Sequence, residues 1–301
     1  MDKTDSIDPS FVAFAIITSY PRWYKGKRRS TKHIDKIRGD LALEFLKIAS
    51  NKGFQVVVVD GKSTKTFYKE LAKIPKILVK RRFGTKRSPG RRKAIKIASN
   101  LDGVKVICMS EPEKLSLLND CMPLIVLPLL NDKADVVVPK RDEKLFKETY
   151  PHYMYESEKE GNSFYNEVLR TNGLLSPGEE DLDMFFGPRA FRHISSVRPL
   201  FMKRYIVNAS NLSFTEEYFD TEEFSNTLYF PITLAIKKKL RVQSVTVPFE
   251  YHKNQKENEE KGARELFLEK RKTQRLELLV ELLHFVSFLN QNKYSRVKKV
   301  I

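Results

Sequence analysis

The chain is punctuated by nearly unbroken apolar runs: "FVAFAIITSY", "FQVVVVDGKS", "VKVICMS" and "ADVVVPKR". A strand with one wet face alternates apolar and polar side chains. A run such as Val56–Val59 has to be covered on both faces. That requirement calls for helices on two sides of a sheet, and the intervening segments supply them. "IDKIRGDLALEFLKIASNKG" spaces Leu41, Leu43, Phe45, Leu46 and Ile48 for a helix that Gly53 stops. "TKTFYKELAKI" reads as a second helix and "KILVK" as a short strand. "SPGRRKAIKIASN" starts a third helix at Ser88 and Pro89. Alternation of this kind predicts an α/β fold with a largely parallel sheet.

The second half is less regular. "KEGNSFYNEVLRTNG" reads as a helix, and "EEDLDMFFGPRAFRHI" as a short strand turning into one. "TEEFSNTLYFPITLAIKKKL" reads as a helix despite Pro231, leading to a strand in "RVQSVTVPFEY". A long amphipathic helix is expected from about Glu257 to Leu289. No internal repeat and no low-complexity block is present.

Charge narrows the range of partners. Lys and Arg total 55 against 38 acids, a net +17. The excess gathers in Pro21–Arg38 and Lys76–Lys96. Such a field attracts phosphates, whether of nucleotides, nucleic acid or an anionic membrane surface; a lysine-rich solvated face is the plainer explanation. No apolar run is long enough for a spanning helix. The polar, acidic beginning is unlike a secretory signal, and Cys108 and Cys121 are too few for a disulfide framework. A cytoplasmic location is expected.

Several motifs fail. "DGKST" (Asp60–Thr64) lacks the early glycine of a phosphate-binding loop, since Val56 stands there, and no GxGxxG follows the first strand. The histidines show no zinc spacing. "MSEPEK" has two readings. Ser110 and Glu113 form S-x-x-E, a capping box for a helix. Alternatively, Glu111 and Glu113, one residue apart at a strand end, lie on one face and could share a hard cation through oxygen ligands. Ligands of open α/β sheets gather at the carboxyl ends of strands. Thr18, Asp60, Glu111 and Arg141 all fall at such ends.

The order of these signals, from the first buried strand through "VVVVDGKS" and "VICMSEPEK" to "ADVVVPKR", resembles the nucleotide-diphospho-sugar transferases of the GT-A fold. It is most similar to family 2 glycosyltransferases over roughly Phe11 to Arg141. The resemblance implies a Rossmann-like three-layer sandwich with a mostly parallel mixed sheet over residues 1–255. A long C-terminal helix within 256–301 would pack on it or extend from it. It also implies a nucleotide-sugar donor, an unidentified acceptor that the net charge suggests is anionic, and Mg²⁺ or Mn²⁺. Asp60 would meet the nucleotide base, with Thr18 and Tyr20 lining its pocket. Glu111 and Glu113 stand where the family has D-x-D for metal and diphosphate, His252 where some members carry a third ligand, and Arg141 closes the matching later strand. Two departures are visible: the D-x-D is E-x-E, and the usual E-D signature of the base is missing.

Glycosyl transfer builds negative charge on a leaving diphosphate, which a metal or cationic side chains must stabilise. Arg91, Arg92 and Lys93, at a helix start that favours anions, are candidates, and Lys114 is another. An inverting enzyme needs a carboxylate to take the acceptor proton. Glu223 is the first candidate, followed by Asp220 and Asp183. A nucleotidyltransferase on the same architecture, a basic nucleic-acid-binding protein and a catalytically inert relative are the rival readings.

Overall fold

The computed structural model describes residues 7–82, 84, 86–205 and 221–290. Its centre is a seven-stranded sheet in the order β3-β2-β1-β4-β6-β5-β7. The strands are β1 (Val12–Thr18), β2 (Gln55–Asp60), β3 (Ile77–Arg81), β4 (Val106–Met109), β5 (Val136–Arg141), β6 (Arg189–Arg192) and β7 (Val242–Val247). Every pairing is parallel except the two made by β6. The helices are α1 (Ile34–Asn51), α2 (Lys65–Leu71), α3 (Arg87–Ala98), α4 (Cys121–Leu130), α5 (Glu143–Thr149), α6 (His152–Thr171), α7 (Arg198–Met202), α8 (Ser225–Leu228), α9 (Phe230–Lys237), α10 (Lys253–Glu257) and α11 (Arg264–Asn290). The fold is the α/β layered sandwich with a mostly parallel mixed sheet and a long C-terminal helix that the sequence predicts.

Alternation along β1 builds the two layers. Val12, Phe14 and Ile16 enter one core with Phe45, Leu46 and Ala49 of α1. Ala13 and Ala15 enter the other with Ala94, Ile95 and Ala98 of α3. Successive strand side chains point to opposite faces, so large residues on one side and alanines on the other let α3 approach closely. The valines of β2 split in the same way. Cys108 and Cys121 are free and buried, and burial pushes both thiols up, that of Cys121 to about 12. They are packing residues.

Three expectations change. The segment before β6 is irregular, and the next helix, α7, begins only at Arg198. The helix through Pro231 is two short ones, α8 and α9, with Pro231 in the first turn of α9, where its missing N–H costs no bond. The closing helix is interrupted. Between α10 and α11 lies a π-helical turn, Asn258–Gly262, in which Asn258 donates to the Thr31 carbonyl. A Cβ on Gly262 would stand 2.3 Å from that carbonyl oxygen. The chain is pinned there to the loop before α1, and a straight helix could not follow that path. Beyond the pin, α11 lies along α6, with Arg271 paired to Glu158 and Arg275 to Glu160. Leu278, Leu282, Phe285 and Leu289 then reach the second core. No helix among the described residues is long and apolar enough to cross a membrane.

Asp135, just before β5, ties the far edge of the sheet together. It accepts from the Arg241 backbone and guanidinium and from Arg192. Hydrogen bonds from Arg241 lead burial and the remaining cations in setting its carboxyl, which is held at about 2 against an ordinary 3.8. A depressed carboxyl contributes stability above its unfolded pKa and loses it as pH falls through the folded one. Urea midpoints should therefore separate wild type from Asp135→Asn at about pH 6, and the gap should close between pH 3.8 and about 2.

Candidate functional site

Because the strands run parallel, Thr18, Asp60, Arg81, Met109 and Arg141 end at one edge of the sheet. The antiparallel β6 brings Gly187 to the same edge, just before its first residue. A cleft of about 460 Å³ opens there. Thr18, Tyr20, Arg91, Glu111, Glu113 and Glu223 line it together with Arg38, Arg82 and Arg87. A second cavity of about 120 Å³ shares Glu111, Glu113, Arg38, Arg87 and Lys270 with the first, and adds Lys114, Arg141 and Arg271.

Asp60 sits one layer beneath the cleft. The register places it beside Thr18, whose hydroxyl donates to its Oδ1 at 2.8 Å. The other oxygen, Oδ2, is buried without a hydrogen-bond partner. A fully buried carboxylate with one idle oxygen is costly unless something accepts its charge or its lone pairs. The Arg82 guanidinium lies over neighbouring Gly61 and donates to the Gly84 carbonyl, and Asp60 attracts it electrostatically. Tyr20, at the mouth of the same pocket, donates its hydroxyl to Glu113 at 2.9 Å.

Of Arg91, Arg92 and Lys93, only Arg91 turns into the cleft. It donates to the Glu223 carbonyl at 2.8 Å. Burial lowers its guanidinium to about 10 against the pull of Glu111 and Glu223. Arg92 pairs instead with Glu222 at 2.7 Å, and Lys93 donates to the Arg81 carbonyl at 2.8 Å, so neither lines a cavity. Helical geometry explains the division, since consecutive positions point about 100° apart.

The two readings of "SEPE" resolve at Glu111 and Glu113. No capping box forms: the Ser110 hydroxyl donates to the Glu111 carbonyl, and Glu113 receives Tyr20. Glu111 lies on Gly187, where a Cβ would stand 2.7 Å from Oε2. Gly187 has φ +97°, a conformation that favours glycine. Burial pushes the Glu111 carboxyl up, but Lys114, Arg91 and Arg189 outweigh it and hold it below the ordinary range. Its Oε2 has no hydrogen-bond partner, and the Lys114 ammonium stands 3.9 Å away. One carboxylate is thus available to a cation, while the other is engaged. Among the described residues no group of three or more His, Cys, Asp or Glu is placed to hold a metal. His252 lies outside both cavities and caps α10, its Nδ1 accepting from the Asn254 N–H at 3.2 Å.

Arg141 is buried in an ion-pair network. Its guanidinium forks onto Asp183 at 2.7 and 2.8 Å and donates to Glu158 at 2.6 Å, with Phe146 stacked 3.5 Å from its centre. Burial raises the Asp183 carboxyl, but Arg141 and Asn162 outweigh it and keep it anionic. Asp183 is therefore occupied by Arg141 rather than open to a substrate. Glu223 does reach the cleft, where Arg87 stands 3.3 Å from its carboxylate. Asp220 lies outside the described residues. Sequence reasoning missed Arg38, Lys270 and Arg271. Arg38 was hidden inside a run of exposed basic residues, and the other two carry no signal beyond a position on an amphipathic helix.

No family model matches the chain, and no curated protein is significantly similar. Solved structures do match. One is glucosyl-3-phosphoglycerate synthase of M. tuberculosis, at 11% identity over 88% of this chain and 80% of that one, TM-score 0.44. A mannosyltransferase of Pyrobaculum calidifontis, solved with GDP-Man and Mn²⁺, matches at 12% identity over 96% and 76%, TM-score 0.38. A 4-diphosphocytidyl-2C-methyl-D-erythritol synthase of Anaerococcus prevotii matches at 12% over 82% and 95%, TM-score 0.39. At these identities and TM-scores the likenesses say nothing of chemistry, which must come from this chain's own side chains.

Replacing Arg141 by Met would leave Asp183 and Glu158 buried and short of a cation. Loss of about 3–5 kcal/mol of stability is expected in urea denaturation. Arg92→Met breaks a single, partly buried pair with Glu222 and should cost clearly less than Arg141→Met.

Proposed function

We propose that the chain is a glycosyltransferase that takes a sugar from a nucleotide-diphosphate donor. The observation that carries this reading is the cleft at the strand ends, with Arg82, Arg87 and Arg91 on its wall, Glu111 among them, and the Asp60–Thr18 pair beneath its floor. Arginines turned inward around a concavity suit a compact phosphate ligand better than the extended backbone of a nucleic acid. The base would enter beside Thr18 and Tyr20, with Asp60 holding the Thr18 hydroxyl from beneath. The diphosphate would lie against Arg91, whose buried guanidinium already stands where leaving-group charge develops and need not be reorganised.

A Mg²⁺ or Mn²⁺ ion fits on the unpartnered Glu111 oxygen if the donor's diphosphate completes its shell, because magnesium commonly rests on one or two carboxylates plus phosphate. It would supply Lewis-acid stabilisation of the leaving group. Lys114 and Arg91 flank the same carboxylate and share that task. Glu223, at the cleft with Arg87 3.3 Å from its carboxylate, is positioned to take the acceptor proton. Asp183, forked onto Arg141, is a poor second, and the roles of Arg141 and Asp183 become those of a wall.

Thermal shift with UDP-, GDP- and CMP-sugars, with and without Mn²⁺, tests the reading. One nucleotide series should stabilise the protein, by about 2.7 kcal/mol at a hundredfold excess over its Kd. Asp60→Ala and Arg91→Met should abolish the effect, and indifference to every nucleotide would end the proposal. Glu111→Gln should remove any Mn²⁺ dependence, and it should also lower the melting temperature of the free protein because Lys114 and Arg91 lose a counter-charge. Glu223→Gln should lower kcat by roughly 10²–10⁴ with donor binding intact.

A further inference from the structure

The second cavity has a chemistry of its own. Its cationic wall comes from different elements: Arg38 from α1, Arg141 from the end of β5, and Lys270 and Arg271 from α11. Arg141 and Arg271 are balanced by Asp183 and Glu158, and Arg38 by Glu259 at 2.9 Å. Lys270 faces the three guanidinium groups of Arg38, Arg87 and Arg271, with Glu259 as the opposing acid. Burial and then these cations push its ammonium down to about 7. Two donors on this wall are also buried without a hydrogen-bond partner, Nε of Arg38 and Nε of Arg271. Buried donors that find no acceptor are rare in native proteins and point to a ligand rich in acceptors.

We infer that the second cavity is the acceptor subsite and that the acceptor presents a phosphate group to Lys270, Arg271 and Arg38. The inference rests on the transferase reading, since it is the shared wall at Glu111 that brings the acceptor beside the donor. Donors converging from α1 and from α11 suit a tetrahedral anion with oxygens pointing several ways. A planar carboxylate would be met by a single guanidinium fork. The volume, about 120 Å³, holds such a group and little more, so the remainder of the acceptor would lie in the larger cleft towards Glu223. A soluble phosphate ester and a lipid phosphate headgroup offer the same chemistry.

The test uses Lys270→Gln, which removes the charge but keeps a long polar side chain. Inorganic phosphate is titrated calorimetrically into protein saturated with the nucleotide that the donor panel identifies. Wild type should bind it, and the variant about tenfold more weakly; Lys270 also borders the larger cleft, so nucleotide affinity is measured in parallel and should fall by much less. Absence of phosphate binding to the nucleotide-loaded protein overturns the subsite alone. An equal loss of nucleotide affinity in Lys270→Gln also overturns it, by assigning the lysine to the donor. If no nucleotide binds at all, the transferase reading fails and takes the acceptor assignment with it. Two further arms name the source. Lys270-dependent binding of glycerol 1-phosphate identifies a soluble ester. Lys270-dependent binding to phosphatidic acid vesicles, absent with phosphatidylcholine alone, identifies a lipid headgroup.

Discussion

The buried fork between Arg141 and Asp183 carries more of the site than any other single contact. It fastens the end of β5 to the segment that leads into β6, and through Glu158 it reaches α6. Glu158 passes the connection on to Arg271 of α11. A strand end, two helices and an irregular loop are thereby held by alternating charges, none of which is left alone in a low-dielectric setting. Such a chain is expensive to break at one link, because each removed partner strands the other. It also explains how residues far apart in the chain can wall one small cavity with fixed geometry (Arg141 at the end of β5 and Arg271 on α11, for instance, are 130 positions apart).

Two-sided burial does the rest of the positioning. With α1 on one face of β1 and α3 on the other, the sheet offers its carboxyl edge as the place where main-chain ends and polar side chains meet a cavity. β6 runs against its neighbours, so its entry, not its exit, joins that edge. Gly187 stands at this entry with positive φ, and its missing side chain makes room for the Glu111 carboxylate. The local backbone and the charge at the centre of the cleft are in this way one design.

Much of the first half of the fold was legible because its signals are local. Val56–Val59 cannot be half-wet, and the spacing in α1 admits one period. Asp60, Thr18, Glu111 and Arg91 could be placed at strand or helix ends, and the structure brings the last three to one cleft with Asp60 bonded beneath. What could not be read depends on contacts between distant segments. Arg92 and Lys93 look equivalent to Arg91 until Glu222 and the Arg81 carbonyl claim them. Asp183 looks like a free carboxylate until Arg141 forks onto it. The break before α11 is set by the Thr31 carbonyl at Gly262, which no local pattern reveals. Lys270 matters because of its guanidinium neighbours, and those come from α1, α3 and α11 itself.

The longer arms of E-x-E have a physical consequence in this setting. Glutamate at position 111 extends far enough to rest on Gly187 and to meet Lys114 and Arg91, and Glu113 extends far enough to meet Tyr20. The pair therefore does not present two equivalent oxygens to one ion. One acid is spent on holding Tyr20 through its phenol, and the other sits in a field of fixed cations. Glu111 attracts both Lys114 and Arg91, so it acts first as their shared counter-charge and offsets part of the cost of desolvating them. On the transferase reading, a diphosphate arriving there would compete with Glu111 for the same two cations, whichever share of the charge a divalent ion takes up.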